Sequence, residues 1–201
     1  AQLITVDVTT DGVIDLNSLE KIITQYRNEI AVISVMHANN ETGTLQPISE
    51  VVALAGQIPV HTDAVQSFKK TPLSFADLGV YAMTLSAHKI GGPLGIGALI
   101  LRRAVEIPAL LHGGGQEREI RSGTLNAPSI VAFAAAAEDN YPRENVIALR
   151  DEFISEVEKL FPDVIVNGKN AERLPGIVNI TFPGTQSDTL LLLLDLSLIH
   201  I

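Results

Sequence analysis

Apolar residues in the first hundred positions fall into short runs separated by polar loops. IAVISVMHA at 30–38 is unbroken, rich in β-branched residues and ended by Asn39 and Asn40, the pattern of a buried strand. The period then changes. Ile48, Val51, Val52 and Ala55 recur at helical spacing behind Pro47, and Gly56 closes the run, so a helix is predicted there. IPVHTDA at 58–64, YAMTLSA at 81–87 and IGALILRR at 96–103 read as three further strands, and LITVDV at 3–8 is strand-like too. Strands and helices alternating through short connections predict an α/β fold, a mostly parallel sheet flanked by helices.

After Asn126 the pattern shifts. SIVAFAAAAEDNY is an Ala-rich helix, and the charged stretch from Pro142 to Phe161 is an amphipathic one. DVIVNG and GIVNITFPG supply two strand candidates, and the leucines at 190–194 open another helix. This is the expected start of a smaller α+β domain. No internal repeat or low-complexity linker divides the chain.

Composition narrows the function classes. Hydrophobic residues make up 46% of 201, enough for a sizeable core. A net charge of −9 argues against a nucleic-acid surface and offers anionic lipid no attraction. No apolar run approaches the roughly 18 residues of a membrane helix, so no membrane partner is expected. No signal peptide is evident. The chain has no cysteine, which excludes disulfides, thiolate metal sites and a cysteine nucleophile within it. That composition suits a reducing compartment, and a cytoplasmic location is the expectation.

In an open parallel sheet, ligands bind beyond the carboxyl ends of the strands. MHANNE, HTDAVQ and SAHK end three of the expected strands, which would bring Asn40, Asp63, Gln66, Ser86, His88 and Lys89 to one edge. Each alone is weak. Asp63 by itself reads as a turn residue or helix cap, and His37 and His61 as satisfied structural histidines. HGGGQ at 112–116 is similar to an esterase oxyanion loop, but the chain contains no GxSxG. GxGxxG, P-loop and HExxH patterns are absent, and the histidines lack metal-ligand spacing, so no metal is expected. The charged positions Arg150, Asp151, Glu152, Glu156 and Glu158 read as a solvated helix face.

Lys89 stands apart. A lysine starved of water at the end of a buried strand is a usable nucleophile toward aldehydes. A carboxylate on the next strand end can pair with a protonated ring nitrogen, which a pyridoxal cofactor needs. Hydroxyl, imidazole and backbone N–H groups beside the lysine could hold a phosphate. The glycines at 91, 92, 95 and 97 would let the chain pass close by.

NNETG, HTDAVQS, SAHKIGGPLGIGAL and HGGGQEREIRSGT, in this order, closely resemble the cysteine desulfurases of the class V aminotransferase family. DGVIDLNSLEKII and LPGIVNITFPG extend the likeness over nearly the whole chain. The resemblance implies a fold-type-I pyridoxal 5'-phosphate enzyme, with Lys89 the Schiff-base lysine and Asp63 the partner of the pyridine nitrogen. It implies that Gln66 bonds the phenolic oxygen, that Asn40 lies on that side of the ring, and that Ser86 and His88 contact the phosphate. Thr124 matches a residue reaching the phosphate of the other subunit's cofactor, so a homodimer is implied. The family converts L-cysteine to L-alanine and passes sulfur, through an enzyme persulfide, to a sulfur acceptor or iron–sulfur scaffold protein for cluster or thio-cofactor assembly.

By the same resemblance, residues 1–135 correspond to the C-terminal portion of the large cofactor-binding domain and 136–195 to part of the small domain. The chain is then expected to be a fragment lacking the N-terminal part and the loop with the catalytic Cys, and inactive by itself in sulfur transfer. Residues 196–201, LSLIHI, resemble the translation of a sequencing adaptor and are expected to be a non-native tail, a natural apolar terminus being the alternative. Two related activities stay open: selenocysteine lyase, and another class V aminotransferase-type enzyme that needs no catalytic Cys. A third reading, of a different class, is a non-catalytic truncated remnant with exposed sheet edges.

Overall fold

The computed structural model describes residues 2–195. Its centre is a four-stranded sheet of β1 (Ile33–Met36), β2 (Val60–Asp63), β3 (Ala82–Ser86) and β4 (Gly97–Leu101), in that spatial order. The first three strands are parallel and β4 runs antiparallel to β3. The strands are shorter than the apolar runs that encode them. IAVISVMHA forms a strand only at 33–36, where it meets the four residues VHTD, and Ala38 makes a separate antiparallel bridge to Leu45.

Two helices cover one face. α1 (Leu16–Tyr26) starts at Asp15, whose carboxylate accepts the amides of Asn17 and Ser18 at 2.8 and 3.2 Å. Leu19 and Ile23, four residues apart, are its buried pair. α2 (Ile48–Ala55) follows Pro47 as expected and buries Ile48, Val51 and Ala55. These side chains join Ile33, Val60, Met83 and Leu85 from the sheet in one core. A short α3 (Phe75–Leu78), capped by Ser74 and left through Gly79 at φ 68°, leads into β3.

LITVDV does not become a paired strand. Residues 2–7 join no strand, and Val8 alone bridges, to Ile14. An apolar cavity of about 790 Å³ separates this segment from the outer edge of β1. Apolar β-branched residues favour a strand only where a partner edge is in reach.

α4 (Ala127–Glu138) packs against the turn after β3, and its Phe133 meets Phe68 edge-on at 6.5 Å. α5 (Arg143–Leu160), β5 (Ile165–Val166), β6 (Ile180–Thr181) and α6 (Ser187–Leu194) complete the described chain. β5 and β6 form a separate antiparallel pair. This C-terminal part grips the loop after β1: Leu45 donates to Glu172 O and Leu174 to Gly43 O, both at 2.8 Å. The expected tail at 196–201 lies outside the described residues.

Candidate active site

Because β1, β2 and β3 are parallel, their carboxyl ends deliver polar segments to one edge of the sheet. Asp63 ends β2, opposite Met36 on one side and Thr84 on the other. The ladder continues around it. His37 N donates to Asp63 O at 2.7 Å, and Ala64 N to Thr84 O at 3.0 Å, so the backbone beneath the carboxylate is pinned from both neighbours. Oδ1 accepts the Val65 amide at 2.9 Å, and among the described residues this is the carboxylate's one protein partner.

β3 ends at Ser86 and passes into a 3-10 turn, Ala87–Ile90, that carries His88 and Lys89. Gly91, at φ 84°, closes the turn in a conformation that side chains resist. Gly92 and Gly97 answer to space instead. A Cβ on Gly92 would stand 2.9 Å from Ala87 Cβ, and one on Gly97 2.7 Å from Leu85 O. The glycine-rich stretch therefore folds the chain tightly back against the lysine turn and into β4. Within the turn, Ser86 Oγ and His88 Nδ1 are 2.6 Å apart.

Lys89 is exposed, not starved of water as the apolar run before it suggests. The 3-10 turn lifts it past the end of the buried strand, beside α4. Asn40 is exposed and donates to Glu41 Oε1 at 2.9 Å, and Gln66 is half-buried in the turn after β2. Neither hydrogen-bonds to Asp63 or Lys89 among the described residues. Thr124 is exposed on a different loop, just past the buried Ser122. That loop is held by Gly115 N donating to Ser122 Oγ at 3.3 Å and Gly123 N to Gln116 Oε1 at 3.0 Å. Three successive non-glycine residues, Glu117, Arg118 and Glu119, are left-handed there, at φ 51°, 57° and 65°.

The two structural histidines differ. His61 is satisfied at both ring nitrogens, by Ser34 Oγ of β1 and Thr84 Oγ1 of β3, each at 2.8 Å. His37 is buried and its Nδ1 has no partner, and burial holds its pKa below 6.5, with the Glu172 charge opposing. The bracketing hydroxyls were not foreseen, although their in-register positions on β1 and β3 are the signal that could have found them. Lys70, half-buried near Lys89, was missed as well. Its pKa is lowered by burial and then by repulsion from Lys89. No group of three or more potential ligands that could hold a metal occurs among the described residues, and no described helix is long and apolar enough to cross a membrane.

A mostly parallel sheet with a lysine turn and an aspartate on adjacent strand ends is an α/β arrangement of the kind a pyridoxal-phosphate site needs, and the comparisons with known proteins point the same way. The family described as Aminotransferase class-V matches residues 1–201. An IscS-like cysteine desulfurase of Mycobacterium tuberculosis is 44% identical over 195 residues, covering 92% of this chain and 49% of that protein. A NifS-like protein from Rickettsia africae superposes with a TM-score of 0.87 at 34% identity, covering 95% of this chain and 55% of that one. A structure described as SspA in complex with cysteine gives 0.76 at 36% identity, over 90% of this chain and 50% of the other. This chain belongs to the class V aminotransferase family. It spans about half the length of the curated relatives it matches.

The residues present fit pyridoxal phosphate, the cofactor of this family, in chemical kind. Lys89 is a primary amine open to an aldehyde. Asp63 has a carboxylate oxygen left over for a cationic ring nitrogen. The Ser86–His88 pair offers a donor to an anion whichever nitrogen holds the imidazole proton. If the hydroxyl donates to Nδ1, Nε2–H is available; if Nδ1–H donates, the hydroxyl proton is.

Proposed function

We propose that this chain is the cofactor-binding part of a cysteine desulfurase, converting L-cysteine to L-alanine and passing sulfur to a thiol. The observation that carries the reading is the adjacency of Asp63 and the Ser86–Lys89 turn on neighbouring parallel strand ends. The names of the relatives support the substrate. When bound, pyridoxal phosphate supplies an electron-withdrawing ring that stabilises negative charge at the substrate α-carbon.

The chain's own residues have three tasks. Lys89 Nζ would hold the cofactor through its aldehyde and, as a free amine, would move a proton at the substrate α-carbon. Asp63 would keep a ring nitrogen protonated by offering its free oxygen, which its pinned backbone holds in place. Ser86 and His88 would anchor the phosphate. Gln66 would bond the phenolic oxygen, with Asn40 on the same side of the ring. Thr124, on an exposed loop, would complete the phosphate site of a second subunit, which makes the working unit a homodimer. The sulfur balance is cysteine plus thiol giving alanine plus persulfide. With no cysteine among these 201 residues, the accepting thiol comes from outside them. A sulfur acceptor or iron–sulfur scaffold protein would then take the persulfide sulfur.

The family's description, Aminotransferase class-V, supports one second reading, an aminotransferase whose chemistry ends with the amino group on a 2-oxo acid. Incubating the full-length protein with L-cysteine, pyridoxal phosphate and dithiothreitol separates the two. Alanine and sulfide in equal amounts support desulfuration, and loss of both in Lys89→Ala assigns the lysine. Amino transfer to a 2-oxo acid, with no sulfide, would establish the aminotransferase instead.

A further inference from the structure

Behind the lysine turn lies a second cavity, of about 280 Å³, to which Lys69, Lys70 and Lys89 all contribute. Asp139, Asn140 and Tyr141, just past α4, line its other side. Three of the chain's 14 basic residues meet here in a protein of net charge −9. None forms an ion pair among the described residues. The ion pairs of the described residues are Arg143–Glu144, Arg150–Asp151, Lys159–Glu156 and Lys169–Glu158, all elsewhere. Asp139, the one carboxylate in the lining, accepts the Asn140 amide at 2.8 Å and pairs with no lysine.

The backbone works to create this cluster. Lys69 is left-handed at φ 68°, an unfavourable state for a long side chain, and it sits in a turn where Lys70 N and Thr71 N both donate to Ser67 O. Ser67 is fully buried, so the turn is anchored in the interior. Like charges gathered without a counter-ion destabilise the fold unless something neutralises them. Burial and the charge of Lys89 together make Lys70 a weaker base, and burial keeps the Tyr141 phenol protonated, a neutral donor at the rim.

We propose that the cavity lined by Lys69, Lys70 and Lys89 is a binding site for a small oxyanion. The volume, about that of nine waters, admits a phosphate, a sulfate or a short carboxylate together with several waters of hydration. Lys69 and Lys70 are the ligands, and Lys89 adds its charge only while it holds no cofactor. The site is separate from the Ser86–His88 pair, neither member of which lines it, and its occupation needs no cofactor. It goes beyond the desulfurase reading and would survive that reading's failure.

The test uses the protein freed of pyridoxal phosphate, titrated calorimetrically with inorganic phosphate and, in a second arm, with acetate. Chemical acetylation of lysines, read by mass spectrometry, locates the bound anion without any substitution. Phosphate is expected to bind and to protect Lys69 and Lys70 from acetylation. Lys70→Ala is expected to weaken binding at this cavity about tenfold or more, while Ser86→Ala, which removes the phosphate anchor at the end of β3, leaves the protection of Lys69 and Lys70 in place. Tighter binding of acetate than phosphate would identify the oxyanion as a carboxylate, still at this site. Binding that is lost in Ser86→Ala but kept in Lys70→Ala, or no protection of Lys70 at saturating phosphate and acetate, overturns the proposal.

Discussion

The Ser86 hydroxyl oxygen lies 2.6 Å from Nδ1 of His88, at the point where β3 gives way to the lysine turn. The two side chains act as one donor unit, and removing either partner leaves the other poorly oriented. Ser86→Ala and His88→Ala are each expected to weaken pyridoxal phosphate binding by about ten- to a hundredfold, the worth of one hydrogen bond to a charged group. Fluorescence titration of the apoprotein checks this. The double variant should lose less than the product of the two single losses, because the residues are coupled.

Asp63 is held so that one oxygen serves the Val65 amide and the other is left for a ligand. Asp63→Asn keeps that turn but supplies no charge to a ring nitrogen. It is expected to retain cofactor while slowing turnover by about a hundredfold or more, in the range of a lost preorganised electrostatic contact. Cofactor occupancy and turnover measured on the same sample separate the two effects.

A Cβ on Gly168 would stand 2.6 Å from Thr44 Oγ1, and the glycine is at φ 69°. Both facts oppose a side chain where the C-terminal part meets the loop after β1. Gly168→Ala is expected to destabilise the protein by about 2 kcal/mol in urea unfolding. Adding Thr44→Ala should recover the part due to collision and leave the part due to φ. That second substitution also removes the hydroxyl's 3.0 Å bond to Asp11 O, so recovery will be incomplete.

Burial holds the His37 pKa below 6.5, and Glu172 only partly offsets it. The unfolded chain therefore binds a proton that the folded protein refuses. The stability contribution is present above about pH 6.5 and is lost as the pH falls through the lowered folded-state value. Urea midpoints taken between about pH 7.5 and 5 should fall with acidification, and His37→Asn should flatten that segment of the curve.

The apolar runs revealed the sheet well because parallel strands are encoded by near-continuous hydrophobicity, even though β2 and β3 here alternate buried with half-buried positions. The helix behind Pro47 was equally legible. Less so was LITVDV, whose strand-like composition says nothing about whether a partner edge is in reach. The reversal of direction at β4 also escaped, since GGPLGIG is as compatible with a hairpin return as with a crossover. At the site, strand-end polarity marked Asp63, Ser86, His88 and Lys89. What the pattern could not give was the 3-10 turn that exposes Lys89, because the apolar strand before it implied burial. Nor could it give the meeting of Lys70 with Lys89, a contact across sequence that depends on how α4 closes the turn.

The most direct test of the account is to reduce the full-length, pyridoxal-phosphate-treated protein with borohydride and map the modified lysine by mass spectrometry. The expected result is a stable pyridoxyl adduct on Lys89 alone, abolished in Lys89→Ala with no transfer to Lys69 or Lys70. An unmodified Lys89, or a label spread over surface lysines and unchanged in Lys89→Ala, would contradict the assignment of this turn as the cofactor site.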